Sequence, residues 1–163
     1  MDRLWAPWRI EYIKMPKPDT CILCEIPADD KANDRKNLLL YRGKQCYIVL
    51  NKYPYNNGHI MIAPYRHIPS VTDLTDDEAL EIHELTKLSI KILDETMKPG
   101  GYNIGANIGR AAGAGIEEHY HLHIVPRWVG DTNYMPVISN TKIIVEHILE
   151  TYDKLREALE RII

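Results

Sequence analysis

The 163-residue chain has the length of one domain and is long enough to bury a sizeable core. Apolar residues make up 45% and charged residues 26%, and the formal charge of −3 excludes a general basic field for nucleic acid or an anionic membrane. No run approaches the roughly 18 apolar residues of a membrane span, and the first residues lack a signal-peptide pattern. A cytoplasmic protein with neither a nucleic-acid nor a membrane partner is therefore expected.

Residues 1–36 read as irregular, interrupted by Pro7, Pro16, Pro18 and Pro27. Within them Cys21-Ile-Leu-Cys24 has the spacing of half a zinc site, and three cysteines in all suit a reducing compartment better than a disulfide framework. Asn37–Arg42 and Gln45–Asn51, joined across Gly43-Lys44, read as an antiparallel hairpin. A loop rich in Pro, Asn and Gly follows, then a third strand, His59–Ala63. Thr75-Asp-Asp-Glu78 is a capping box that opens a long helix, which Lys98-Pro-Gly-Gly101 ends. Tyr102–Ile108 reads as a fourth strand, Gly109–Gly115 as a small-residue loop, His119–Val125 as a fifth strand and Val145–Ile163 as an amphipathic C-terminal helix. Strands and helices in separate runs argue for an α+β domain on a largely antiparallel sheet of about five strands.

The chemistry is concentrated in His119-Tyr-His-Leu-His-Ile-Val125, which holds three of the chain's seven histidines. In a strand, alternate side chains share a face, so His119, His121 and His123 line one side, while Tyr120, Leu122 and Ile124 line the other against a helix. Two chemistries use such a row. One is a metal tripod; the outer α-carbons would lie roughly 13 Å apart, whereas each nitrogen must come within about 2.0–2.1 Å of a zinc ion, so three ligands on a straight strand are strained. The other is a nucleophilic imidazole with helpers, able to carry a phosphoryl or nucleotidyl group. The preceding loop, Asn107 to Ile116, lets backbone N–H groups approach phosphate oxygens and adds Arg110, which favours phosphorus chemistry. His83 and His147 read as surface residues, Cys46 as core, and Trp5, Trp8 and Trp128 as packing or interface residues.

His119 to Val125 resembles the His-x-His-x-His signature of the histidine-triad (HIT) superfamily of nucleotidyl hydrolases and transferases. Asn51-Lys-Tyr-Pro-Tyr-Asn-Asn-Gly-His59, Ala63-Pro-Tyr-Arg-His67 and the Asn-x-Gly of Asn107 to Gly109 extend the likeness from about Cys21 to Tyr134. The stretch after Pro126 is similar to the fragile-histidine-triad and diadenosine-tetraphosphate phosphorylase branch. The resemblance implies a HIT-like fold and cleavage of dinucleoside polyphosphates such as diadenosine tetraphosphate. His121 would attack the α-phosphorus, and His123 would support the phosphate oxygens. Asn51 would bind the ribose, and Asn107, His59 and the loop glycines Gly113 and Gly115 would bind or adjoin the phosphates. Many members carry Gln and then Ser or Thr where this chain has Gly115 and Ile116, which leaves mainly backbone donors and keeps both water and phosphate open as the acceptor.

The resemblance also implies a structural zinc ion on Cys21, Cys24, His67 and His119, magnesium travelling with the polyphosphate substrate, and a homodimer with its sheets joined across a twofold axis. The expected organisation is a single domain: an N-terminal segment with the cysteine knuckle (1–36), a core (37–128) and a C-terminal extension with its helix (129–163). Rival readings are a nucleoside phosphoramidase, a nucleotide sensor without turnover, and a metalloenzyme with its metal inside the triad.

Overall fold

The structure is a computed structural model, and it describes residues 20–131, 144 and 146–163. Trp5, Trp8 and the first three prolines lie outside the described residues. The expected α+β fold is observed. Five strands, β1 (Leu39–Arg42), β2 (Cys46–Leu50), β3 (Ile60–Pro64), β4 (Gly101–Gly105) and β5 (Leu122–Arg127), form one sheet in the order β1-β2-β3-β5-β4. Every neighbouring pair is antiparallel.

The N-terminal region holds more order than its prolines suggest. Ile22–Ala28 is a short helix, α1, with Pro27 in its last turn. Proline has no N–H for the carbonyl four residues earlier, that of Leu23. The Tyr47 hydroxyl donates to that carbonyl instead, at 2.7 Å. The prolines misled the sequence reading because this compensation comes from a distant strand.

The long helix, α2 (Asp76–Met97), begins as its capping box requires: Thr75 Oγ1 accepts the Glu78 N–H and the Glu78 carboxylate accepts the Thr75 N–H. Its apolar face, including Ile82, Leu85, Ile92 and Leu93, is buried against β2, β3 and β5. Cys46 Sγ meets the Glu78 carbonyl of α2, so Cys46, Ile48 and Leu50 face this helix, while Tyr47 on the opposite face reaches α1. Through the strand register Val49 stands opposite Met61 and Met61 opposite His123, which puts His123 on the face away from α2. His83 is exposed and Cys46 is buried, as expected.

The C-terminal helix, α3 (Ile148–Ile162), packs on α2 and β1. Val145, the expected start, lies outside the described residues; the exposed His147 caps the helix by accepting the Leu149 N–H. Tyr152 Oη donates to the Leu39 carbonyl at 2.9 Å and Arg156 Nη1 to the Leu40 carbonyl at 2.7 Å. The outer strand β1 is thereby covered by a helix.

Candidate functional site

Two groups of side chains converge where the chain enters β5. His119, Tyr120 and His121 precede the strand, and of the three histidines only His123 lies in it. This corrects the expected straight strand from His119. The Ile68 carbonyl accepts the Tyr120 N–H at 2.5 Å, and the Pro64 carbonyl accepts Nε2–H of His119 at 2.9 Å. Held by residues 64–68 rather than by a strand partner, His119 turns to a different set of neighbours from His121.

The first group is Cys21, Cys24, His67 and His119. Their ligand atoms all lie within 4.8 Å of one another. Nδ1 of His119 is 3.4 Å from both Sγ atoms, and Nδ1 of His67 is 3.3 Å from Sγ of Cys24. Zinc bonds of about 2.3 Å to sulfur and 2.0–2.1 Å to nitrogen at the tetrahedral angle place S and N roughly 3.6 Å apart. The four residues therefore fit a Cys2His2 metal ion. The carbonyl on Nε2 of His119 leaves Nδ1 with the lone pair turned to the thiols, the outer-shell arrangement that metal-bound histidines use. Burial and the neighbouring Cys21 push the Cys24 thiol up to about 11, and a dication reverses that preference. His67 is carried by a segment that Arg66 ties to the capping-box residue Glu78, through Nε at 2.7 Å and Nη2 at 2.5 Å.

The second group is His59, His121 and His123. Nδ1 of His121 is 2.7 Å from the His119 carbonyl. A carbonyl only accepts, so Nδ1 carries the proton and Nε2 the lone pair. For His123 the argument runs the other way. The Tyr55 N–H donates to Nδ1 of His59 at 3.1 Å, so His59 keeps its proton on Nε2, which donates to Nδ1 of His123 at 2.9 Å. Neutral His123 then holds its own proton at Nε2. The two triad rings meet edge to face with centroids 4.8 Å apart. Neighbouring imidazoles in opposite tautomers offer a lone pair and an N–H side by side, the complement of an electrophilic phosphorus and its oxygen.

The histidine face is buried: His119 and His59 are 0% exposed, His121 5% and His123 9%. His59 and Tyr55 close over it, with the Tyr55 ring centroid 4.7 Å from that of His59 and 5.8 Å from that of His123. Nε2 of His121 is not sealed in, because among the described residues Ser89 Oγ is the one polar side-chain atom that lacks both solvent and a partner. Burial lowers the pKa of His121 against the opposing pull of the His119 carbonyl. Burial, and then the neighbouring His123 and His121, hold His59 down at about 3.

The remaining predicted residues lie around this pair. Asn51 directly follows β2, where its N–H donates to the His59 carbonyl at 2.9 Å and its Oδ1 accepts the Tyr53 N–H at 2.9 Å. Asn107 is half-buried two residues beyond Gly105, which stands opposite His123. Gly113 and Gly115 are exposed further along that loop. Gly109 and Gly113 have φ of 78° and 83°, and a Cβ at either would meet nothing within 4 Å, so their backbone borders open space. Sequence reasoning did not single out Tyr55, whose N–H fixes the His59 tautomer; its place inside the Asn51–His59 stretch was the available signal. The three histidines of the row do not converge on one ion. Among the described residues the one converging ligand group takes only His119 of them, which removes the strained tripod.

Comparison with known proteins agrees with this geometry. The HIT domain model matches residues 32–129. A Mycobacterium tuberculosis protein named AP-4-A phosphorylase is 36% identical over 157 residues, covering 93% of this chain and 80% of the relative. A hypothetical histidine triad nucleotide-binding protein from Sulfolobus tokodaii superposes with a TM-score of 0.66 at 26% identity, covering 87% of this chain and 93% of that one. A Zn-bound histidine triad family protein from Mycobacterium smegmatis shares the fold with a TM-score of 0.67 at 23% identity, covering 88% and 95%. Signature, sheet topology and likeness agree, and the chain belongs to the HIT family.

Proposed function

We propose that this enzyme cleaves dinucleoside polyphosphates of the diadenosine tetraphosphate type through a nucleotidyl-His121 intermediate, with inorganic phosphate as the acceptor. The observation that carries the reading is the His119 carbonyl on Nδ1 of His121, which leaves the Nε2 lone pair as the nucleophile. Nε2 attacks the α-phosphorus, the bond from that phosphorus to the bridging oxygen breaks, and ATP departs. The adenylated ring is cationic, and the same carbonyl faces its Nδ1–H. His123, with its proton on Nε2, donates to the non-bridging oxygens as charge gathers there. A phosphate oxygen then attacks, the P–N bond breaks, its electron pair returns to Nε2, and ADP is released. Asn51 orients the ribose, while Asn107 and the backbone at Gly113 and Gly115 face the phosphates. Phosphate is favoured over water by the name of the M. tuberculosis relative and by the absence of polar side chains at Gly115 and Ile116.

Zinc on Cys21, Cys24, His67 and His119 would have no open coordination position and would tie α1 to the sheet. Magnesium would come with the substrate's own phosphates. A twofold dimer through the outer strand β4 is supported by its place at the sheet edge and by the exposure of Asn103, Ile104 and Gly105. A cytoplasmic setting suits the three free thiols.

The test is incubation with diadenosine tetraphosphate with and without phosphate. The expected products are ADP and ATP, formed only with phosphate present. AMP and ATP in both buffers would assign water as the acceptor. No cleavage in either buffer, with turnover of an adenosine phosphoramidate instead, would overturn the substrate assignment. His121→Ala is expected to abolish turnover while nucleotide still binds; a protein that binds nucleotide without any turnover would be a sensor.

A further inference from the structure

His119 belongs to both groups at once. Its side chain turns Nδ1 to the thiols of Cys21 and Cys24, and its backbone carbonyl holds Nδ1–H of His121. We propose that Cys21, Cys24 and His67 are positioning residues for the phosphorus chemistry, acting through His119: the metal they bind fixes the His119 ring, the ring fixes its carbonyl, and the carbonyl fixes the tautomer and aim of His121. This rests on His121 being the nucleophile.

The geometry leaves little slack along that path. The His119 ring is pinned at one nitrogen by the Pro64 carbonyl at the end of β3 and faces the ligand group with the other. The next residue is pinned as well, since the Tyr120 N–H donates to the Ile68 carbonyl. His67 lies between Pro64 and Ile68, so a metal bond to His67 would set the very segment that supplies both carbonyls. Arg66, beside it, is anchored to α2 through Glu78. The carbonyl-to-Nδ1 bond is what holds the proton off Nε2. If the carbonyl turns away, both tautomers of His121 become accessible and the form with a proton on Nε2 cannot attack. Loss of metal would then lower the fraction of enzyme able to react without removing any group that touches substrate. The expected signature is a fall in kcat with KM little changed.

The test uses the full chain with its histidines labelled with 15N, zinc-loaded and chelator-stripped, together with Cys24→Ser and Cys24→His. The ring nitrogens of His121 should report one tautomer when zinc is bound. In the stripped and Cys24→Ser proteins they should move towards an average of two, with kcat lowered about 10-fold or more and KM shifted less than about 2-fold. Zinc should restore the stripped wild type. Should stripping or Cys24→Ser unfold the protein, Cys24→His decides, because it keeps four ligands while altering the geometry at His119: displaced His121 resonances support the coupling. Unmoved His121 resonances in a folded protein that has lost or rearranged its metal site overturn it, and the cysteines then serve only α1. Full activity in His121→Ala would instead refute the nucleophile assignment, whatever the resonances show.

Discussion

Nε2 of His59 donates to Nδ1 of His123 across 2.9 Å, and the Tyr55 N–H on the other nitrogen of His59 fixes that direction. His59, expected beside the phosphates, is 0% exposed, and this buried ring decides which nitrogen of His123 carries the proton. Replacing His59 with Ala leaves the His123 tautomer undetermined and opens a void beneath it. The expected result is a fall in kcat of about 10- to 100-fold, the range typical of a lost outer-shell partner. His59→Gln, which retains a side-chain N–H, should recover part of the loss. Steady-state kinetics on both variants check this. A change confined to KM, or equal losses in the two variants, would speak against a role in setting the tautomer.

The same buried rings set the pH behaviour. Burial is the main cause that holds His121 below the ordinary imidazole value of 6.5, so its Nε2 lone pair persists into mildly acidic solution. The acid limb of kcat/KM should accordingly fall below pH 6.5, and a limb above that value would contradict the assignment. Stability should respond more strongly. His59 takes a proton in the folded state only near about 3, whereas the unfolded chain takes one near 6.5. Between those values the unfolded state binds the extra proton, so the contribution is complete above 6.5 and declines as the pH falls towards 3. Urea titrations at about pH 7.5 and about pH 5 should show a lower midpoint at the lower pH, and a smaller difference in His59→Phe.

The residues that announce themselves in the sequence do so through short-range regularities. The capping box at Thr75 is local chemistry, and α2 begins at Asp76 as that box requires. The alternation of His119, His121 and His123 is equally local, and the register through Val49 and Met61 puts His123 on the face away from α2. What the pattern could not carry was the departure of His119 and His121 from the strand, because the Pro64 and Ile68 carbonyls, which hold His119 and the intervening Tyr120, lie about fifty residues earlier. The convergence of Cys21 and Cys24 with His67 and His119 was legible only through family resemblance, since no spacing rule links residues so far apart. Glu81 escaped notice for the same reason. From the second turn of α2 its carboxylate accepts the N–H groups of Lys44, Gln45 and Cys46, holding the hairpin turn that the sequence showed only as Gly43-Lys44.

α1 depends on a tertiary contact that can be removed by a single atom. The Leu23 carbonyl loses its helical donor to Pro27 and receives the Tyr47 hydroxyl at 2.7 Å, in a region where Leu23 and Tyr47 are both almost fully buried. Tyr47→Phe keeps the ring and its tilted contact with Tyr65, whose centroid is 5.5 Å away, but strands the carbonyl without water or partner. An unmet buried acceptor costs about 1–3 kcal/mol, so the midpoint of unfolding should drop by that equivalent. Because Cys21 is the N-cap of α1 and Cys24 lies in its first turn, the loss should extend to the metal group: Tyr47→Phe should release zinc to a competing chelator faster than wild type. Replacing Pro27 with Ala in the same background restores a helical N–H for Leu23 and should recover part of the stability. Full stability in Tyr47→Phe, or no recovery on adding Pro27→Ala, would show that the hydroxyl does not stand in for the missing helical bond.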